Sequence, residues 1–117
     1  MDIRELAQAF VDLLKAGKHE EAAQIHNSAD IVSREAMEGP MAEVRGTEAV
    51  KAKSDWWYAN HEIHSVESFG PFIHGDQFAV RFAMDVTSKE TGQRMQMDEV
   101  GLYTVQDGKI VEERFFY

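Results

Sequence analysis

DEVGLYTVQDGKIVEERFFY, residues 98–117, holds two runs of alternating apolar and polar positions hinged on Asp107-Gly108. An Asp-Gly pair between such runs signals a two-residue hairpin turn. A turn there pairs Gln106 with Lys109 and fixes every later pair. One face then carries Asp98, Val100, Leu102 and Thr104 opposite Val111, Glu113, Phe115 and Tyr117. The other carries Met97, Glu99, Gly101, Tyr103 and Val105 opposite Ile110, Glu112, Arg114 and Phe116. The first face is the more apolar at its centre and is expected to point at the helices. That assignment places Asp98 and Glu113 at the margin of an apolar surface, with Glu99, Glu112 and Arg114 turned away from it.

The period of two extends upstream. His61–Phe69 reads as a long strand, Pro71–His74 as its short continuation and Gly75-Asp76 as a turn. Phe78, Val80, Phe82, Met84 and Val86 alternate with Ala79, Arg81, Ala83, Asp85 and Thr87, the clearest strand in the chain. Thr91-Gly92 turns it into Gln93–Gln106, and Lys109–Tyr117 is the last strand. The N-terminal part has a helical period instead. Ile3, Leu6, Ala7, Phe10, Val11, Leu13 and Leu14 form the stripe of an amphipathic helix over 2–16, capped by Asp2 and stopped by Gly17. A shorter helix follows over 18–27, and residues 30–35 read as a short strand. Residues 36–46, with Gly39 and Pro40, read as a loop, and Thr47 is the expected N-cap of a third helix reaching about Ala59. Helices first and hairpin-linked strands afterwards mean an α+β domain, because a parallel sheet needs helices between its strands.

A chain of 117 residues that is 44% hydrophobic fits one domain, 1–117, with one core. It has no cysteine, which removes disulfides, thiolate metal sites and cysteine nucleophiles. No run approaches the roughly 20 apolar residues needed to span a bilayer, and the N-terminus lacks a signal-peptide core. A cytoplasmic location and no membrane partner are expected. A formal charge of −9 argues against a nucleic-acid partner, since phosphate binding needs a basic face.

The C-terminal stretch quoted above, with its Asp107-Gly108-Lys109-Ile110 turn, resembles the last two strands of the nuclear transport factor 2-like superfamily. RGTEAVKAKSDWWYAN, residues 45–60, is similar to the third helix of the same families, and GDQFAVRFAMDVT, residues 75–87, to their central strand. The order of elements agrees along the chain, and the resemblance is nearest to SnoaL-like, polyketide-cyclase-type proteins. It implies a cone-shaped, cystatin-like sheet with helices closing its wide side, a pocket between helices and sheet, and a homodimer formed sheet to sheet. The superfamily includes ketosteroid isomerases, polyketide cyclases, limonene-epoxide hydrolases, dehydratases and members without activity, so fold alone does not carry function. The isomerase base is an aspartate shortly before the third helix. The nearest acids here are Glu35 and Glu38, of which Glu35 ends a strand. The isomerase oxyanion tyrosine of the first helix has no counterpart in 2–16, and the Arg-x-Asp step of the epoxide hydrolases is broken at Arg81, where Ala83 follows two residues on.

The candidate acid/base groups are therefore Glu35, Asp98, Glu113 and His64, because a carboxyl or imidazole beside apolar surface becomes useful near neutral pH. Each has the alternative of a strand-end charge in water or in an ion pair. Trp57, Tyr58, Phe82, Val100, Phe115 and Tyr117 are expected to line the pocket, with core packing as their alternative. His61 and His64 do not suffice for a metal, and neither metal nor cofactor is expected. The expected function is acid/base isomerase, cyclase or hydratase chemistry on a small hydrophobic molecule. The alternative is a non-catalytic module for ligand binding or dimerisation.

Overall fold

A computed structural model describes residues 1–117. Helix α1, Ile3–Lys15, starts at a capping box in which Asp2 accepts the Glu5 amide and Glu5 returns a bond to the Asp2 amide. It stops in a Schellman turn. Gly17, at φ 77°, lets the Lys18 amide reach the Leu13 carbonyl at 2.8 Å and its own amide reach Leu14 at 3.0 Å. Helix α2, His19–His26, follows directly, and strands β1, Asn27–Arg34, and β2, Glu43–Arg45, lead to helix α3, Thr47–Asn60. Strands β3, His61–His74, β4, Gln77–Ser88, β5, Arg94–Gln106, and β6, Lys109–Phe116, complete the chain.

The expected α+β fold is present, with three helices on a curved, open six-stranded sheet ordered β2-β1-β6-β5-β4-β3. One pair departs from the antiparallel expectation: β1 runs parallel to β6. The other differences are local. The expected loop 36–46 contains β2, paired with β1, and β3 runs on through the expected break at Gly70 with only a shift of register between Phe69 and Phe72. The N-cap of α3 is Gly46 rather than Thr47. Gly46 donates to the Ile31 carbonyl at 2.8 Å while accepting from Val50 at 3.0 Å, and the φ of 88° that joins these two bonds suits glycine alone.

The core lies between α1 and the middle of the sheet. Leu6, Ala7, Phe10, Val11 and Leu14 cover Ile31, Phe78, Val80, Phe82, Tyr103 and Ile110. Phe10 meets Phe78 and Tyr103 edge-on at 5.8 and 5.0 Å, and Phe78 stacks on Tyr103 at 5.0 Å. Each fully buried aliphatic or aromatic side chain here contributes about 1.5–3 kcal/mol relative to exposure.

The β5–β6 register corrects the face assignment. Gln106 pairs with Lys109 and Val105 with Ile110, as the turn requires, but Thr104 then pairs with Glu112. Val111 is thus an extra residue in β6, a bulge. Beyond it Tyr103 opposes Glu113 and Gly101 opposes Phe115. Tyr103, Gly101 and Glu99 in turn oppose Phe78, Val80 and Phe82 of β4. One inserted residue flips one strand against the other. Glu113 and Phe115 therefore face the helices as expected, whereas in β5 it is Glu99, Gly101 and Tyr103 that do so. Asp98, Val100, Leu102 and Thr104 lie on the opposite face.

Candidate active site

The bulge brings three carboxyls together on the helix-facing side of the sheet. Ser33 is fully buried near the end of β1, directly opposite Glu113 of β6, and Glu35 follows it by two residues on the same side. From α3, Val50, Lys53 and Trp57 fall on one stripe, so the buried Val50 anchors a turn that aims Lys53 at the strand end. The Lys53 ammonium donates to Ser33 Oγ at 2.5 Å and lies 3.5 Å from Glu35 Oε2 and 5.6 Å from the Phe115 ring centroid. The Ser33 hydroxyl, directly across from Glu113, favours the charged form of that carboxyl. Tyr103 lies along β5 over Gly101, where a Cβ would come within 2.9 Å of the phenol oxygen. Gly101 thus makes room for a tyrosine whose hydroxyl is directed along the strand toward Glu99.

Three carboxyls share one ammonium. Burial pushes the Glu99 carboxyl up to about 7, reinforced by Glu35 and Glu113 and opposed by Lys53. Burial also raises Glu113 and Glu35, each held back chiefly by Lys53. The Tyr103 phenol is raised by burial and by the negative charge of the three glutamates, so it stays a hydrogen-bond donor. Near neutral pH the cluster therefore holds Glu99 poised between its protonated and ionised forms, beside two other raised carboxyls whose charged forms Lys53 favours. Environments that push neighbouring groups apart in this way allow one acid and one base to coexist.

Of the expected groups, Glu35 and Glu113 belong to this cluster, and Asp98 and His64 do not. Asp98 is on the other face, in a two-pronged pair with Arg81 at 3.0 and 2.6 Å. That guanidinium holds its carboxyl below the usual range. His64 sits at a register shift of β3, exposed, with Nε2 2.7 Å from Thr87 Oγ1. Trp57 stacks on His61 at 4.5 Å, Tyr58 is exposed near His19, and Phe82 is buried in the core. Tyr117 leans over Glu35 with its phenol beside the Ala36 and Met37 amides. Val100, on the far face, lines nothing under the helices. An open cleft of about 280 Å³ reaches the cluster at Glu35 and Phe115, and Ala36, Ala42, Arg34, Glu43, Arg114 and Phe116 form the rest of its wall. Lys53, Glu99, Ser33 and Tyr103 were not singled out from sequence. A large apolar residue at both Ile110 and Phe115, five positions apart, is the one signal that could have revealed the bulge, since alternation would send them to opposite faces.

The helix order and the sheet have counterparts among known proteins. The sequence matches the SnoaL-like domain family over residues 1–117. The chain belongs to the SnoaL-like family. A SnoaL-like relative from Mesorhizobium loti, described as a polyketide cyclase candidate with carbohydrate phosphatase in brackets, is 57% identical over 100% of both chains, with a TM-score of 0.98. More distant structures share the SnoaL-like fold only. A polyketide cyclase candidate from Jannaschia sp. CCS1 is 17% identical over 96% of this chain and 85% of its own, with a TM-score of 0.77. A protein of unknown function with a cystatin-like fold from Xanthomonas campestris is 20% identical over 99% and 90%, with a TM-score of 0.79. A search of curated proteins gives no match to this SnoaL-like chain. No helix of it is long and apolar enough to cross a membrane.

Proposed function

We propose that this SnoaL-like domain transfers protons on a small, hydrophobic, oxygenated substrate, in isomerisation, cyclisation or hydration. The supporting observation is the set of three carboxyls around Lys53 on the helix-facing side of the sheet. Glu35, which lines the cleft, is the base. It takes a proton from the carbon beside a carbonyl while Glu99 gives one to the carbonyl oxygen, and the resulting enol collapses by the reverse transfers at a new position. Tyr103 adds a donor near the oxygen, and Lys53 and Ser33 keep Glu113 in place. The test is loss of α-hydrogen signal by NMR from a panel of enolisable cyclic ketones in D2O. Protein-dependent exchange is expected for at least one ketone, falling about 10²–10⁴-fold in Glu99→Gln and in Glu35→Gln. Exchange that is unaffected by both substitutions, or absent across the panel, overturns the reading.

We also propose a homodimer through the far face of the sheet. Its supporting observation is a pair of cross-strand rows, Phe72-Ala79-Leu102 and Phe69-Arg81-Val100-Phe116, in which Phe69, Phe72, Val100 and Phe116 are exposed. Sedimentation equilibrium is expected to give a dimer, and Val100→Glu a monomer. A wild-type monomer overturns it.

A further inference from the structure

The cleft beside Glu35 carries a charge pattern that the proton-transfer chemistry does not use. Arg34 of β1 and Arg114 of β6 are direct neighbours in the parallel pair. Like charges facing each other across strands are unfavourable, and Glu112, near both guanidiniums, offsets this only through long contacts. Arg34 is already engaged, by an ion pair to Glu43 and a 3.5 Å contact with Glu112. Arg114 has one long contact, 3.8 Å to the same Glu112, and its side chain is 48% exposed. Most of its five N–H donors are therefore free, in a planar fork that matches a carboxylate. Arg45 contacts Glu43 at 3.5 Å, so three guanidiniums share two carboxylates around this opening. The remaining cleft carboxylate, Glu35, faces Lys53. The charges lining the cleft balance, Arg34 and Arg114 against Glu35 and Glu43, so it is the free donors of Arg114 rather than a net charge that mark it, and they border apolar walls of Phe115, Phe116, Ala36 and Ala42.

We infer that the cleft is an anion subsite, in which Arg114 with Arg34 beside it binds the carboxylate of a small hydrophobic acid whose ring lies against Phe115 and Ala36. The cleft volume of about 280 Å³ is close to the lower end of ligand sites, roughly 300–1,000 Å³, and suits one or two fused rings. The acid group anchors the substrate at a distance from the reacting carbon, which is how binding energy from a non-reacting part positions the rest. For what happens to the ring this rests on the proton-transfer reading, but the binding does not require it.

The probe is 2-naphthoate, compared with its neutral isostere 2-naphthamide by fluorescence titration at low and high salt. Naphthoate is expected to bind at least about tenfold more tightly at low salt, with the preference shrinking as salt rises. Arg114→Gln abolishes the preference, Arg114→Lys retains part of it, and the remote Arg4→Gln leaves it unchanged. Equal affinity for acid and amide, or a preference that survives Arg114→Gln in a variant that melts like the wild type, overturns the inference. Glu99→Gln separates the two proposals. It is expected to keep the naphthoate preference while losing proton exchange, so loss of exchange without any preference refutes the subsite alone, and a preference without exchange in the wild type refutes the chemistry alone.

Discussion

Lys53→Met is expected to cost about 3–5 kcal/mol at pH 8, because removing one partner of a buried charge cluster leaves the others uncompensated. The Lys53 side chain is only 14% exposed and is the ammonium that faces Glu35, Ser33 and the carboxylate of Glu113. Methionine keeps most of the stem volume, so the loss is electrostatic. Lowering the pH to 5, below the value of about 7 at Glu99, lets that carboxyl take up its proton and moves the raised Glu35 and Glu113 toward theirs, so the deficit should shrink. Urea unfolding at the two pH values measures both halves of this expectation. A deficit equal at pH 5 and pH 8 would show that Lys53 acts by packing rather than by charge.

Glu99→Gln is expected to move stability in the opposite direction. A carboxyl whose folded pKa stands at about 7 binds its proton more tightly in the native state than in the unfolded chain. Its contribution is complete below the ordinary pKa near 4.5 and is lost as pH rises through about 7. Glutamine carries no charge to desolvate. The variant should therefore match the wild type near pH 4.5 and exceed it at pH 8 by on the order of 2 kcal/mol, a rise in Tm of roughly 5–10 °C. Asp98→Asn is the control, since Asp98 sits in an exposed pair with Arg81 on the other face, and it should change stability little at either pH. Melting curves for both variants across this pH range decide the matter. A Glu99→Gln protein less stable than wild type at pH 8 would mean that the charged form is the one the fold favours. A gain in stability paired with a loss of proton exchange is the expected mark of a group kept for chemistry.

The helices, the hairpins and the strand alternation were legible because each depends on local chemistry. Asp2 and Gly17 bound α1, Asp107-Gly108 sets the last turn, and Phe78, Val80 and Phe82 show their face by period. The site was half legible. Glu35 stands out as an acid at a strand end, and Glu113 keeps its face because it lies beyond the bulge on the strand whose aromatics were read correctly. Glu99 was misplaced for one reason. Val111-Glu112-Glu113 has no alternation that reveals an inserted residue, and a bulge reverses every side chain of one strand relative to its neighbour. Lys53 was hidden for another. On a helix rich in polar residues a lysine reads as a solvated charge, and only the packing of α3 over the end of β1 turns it inward.

The parallel pairing of β1 with β6 also bears on when the site comes into being. Ser33 and Glu113 are neighbours in space but far apart in sequence, and the strands that flank Glu113 must first be laid down by two successive hairpins. Contacts of such long range form late, because the entropy of closing the intervening chain is lost before they contribute. During synthesis β6 emerges after every other element, so Lys53 and Glu35 wait without Glu113 until the final strand docks. The polar cluster is thus a record of completed folding: a chain with a titrating Glu99 is one whose first and last strands have already met.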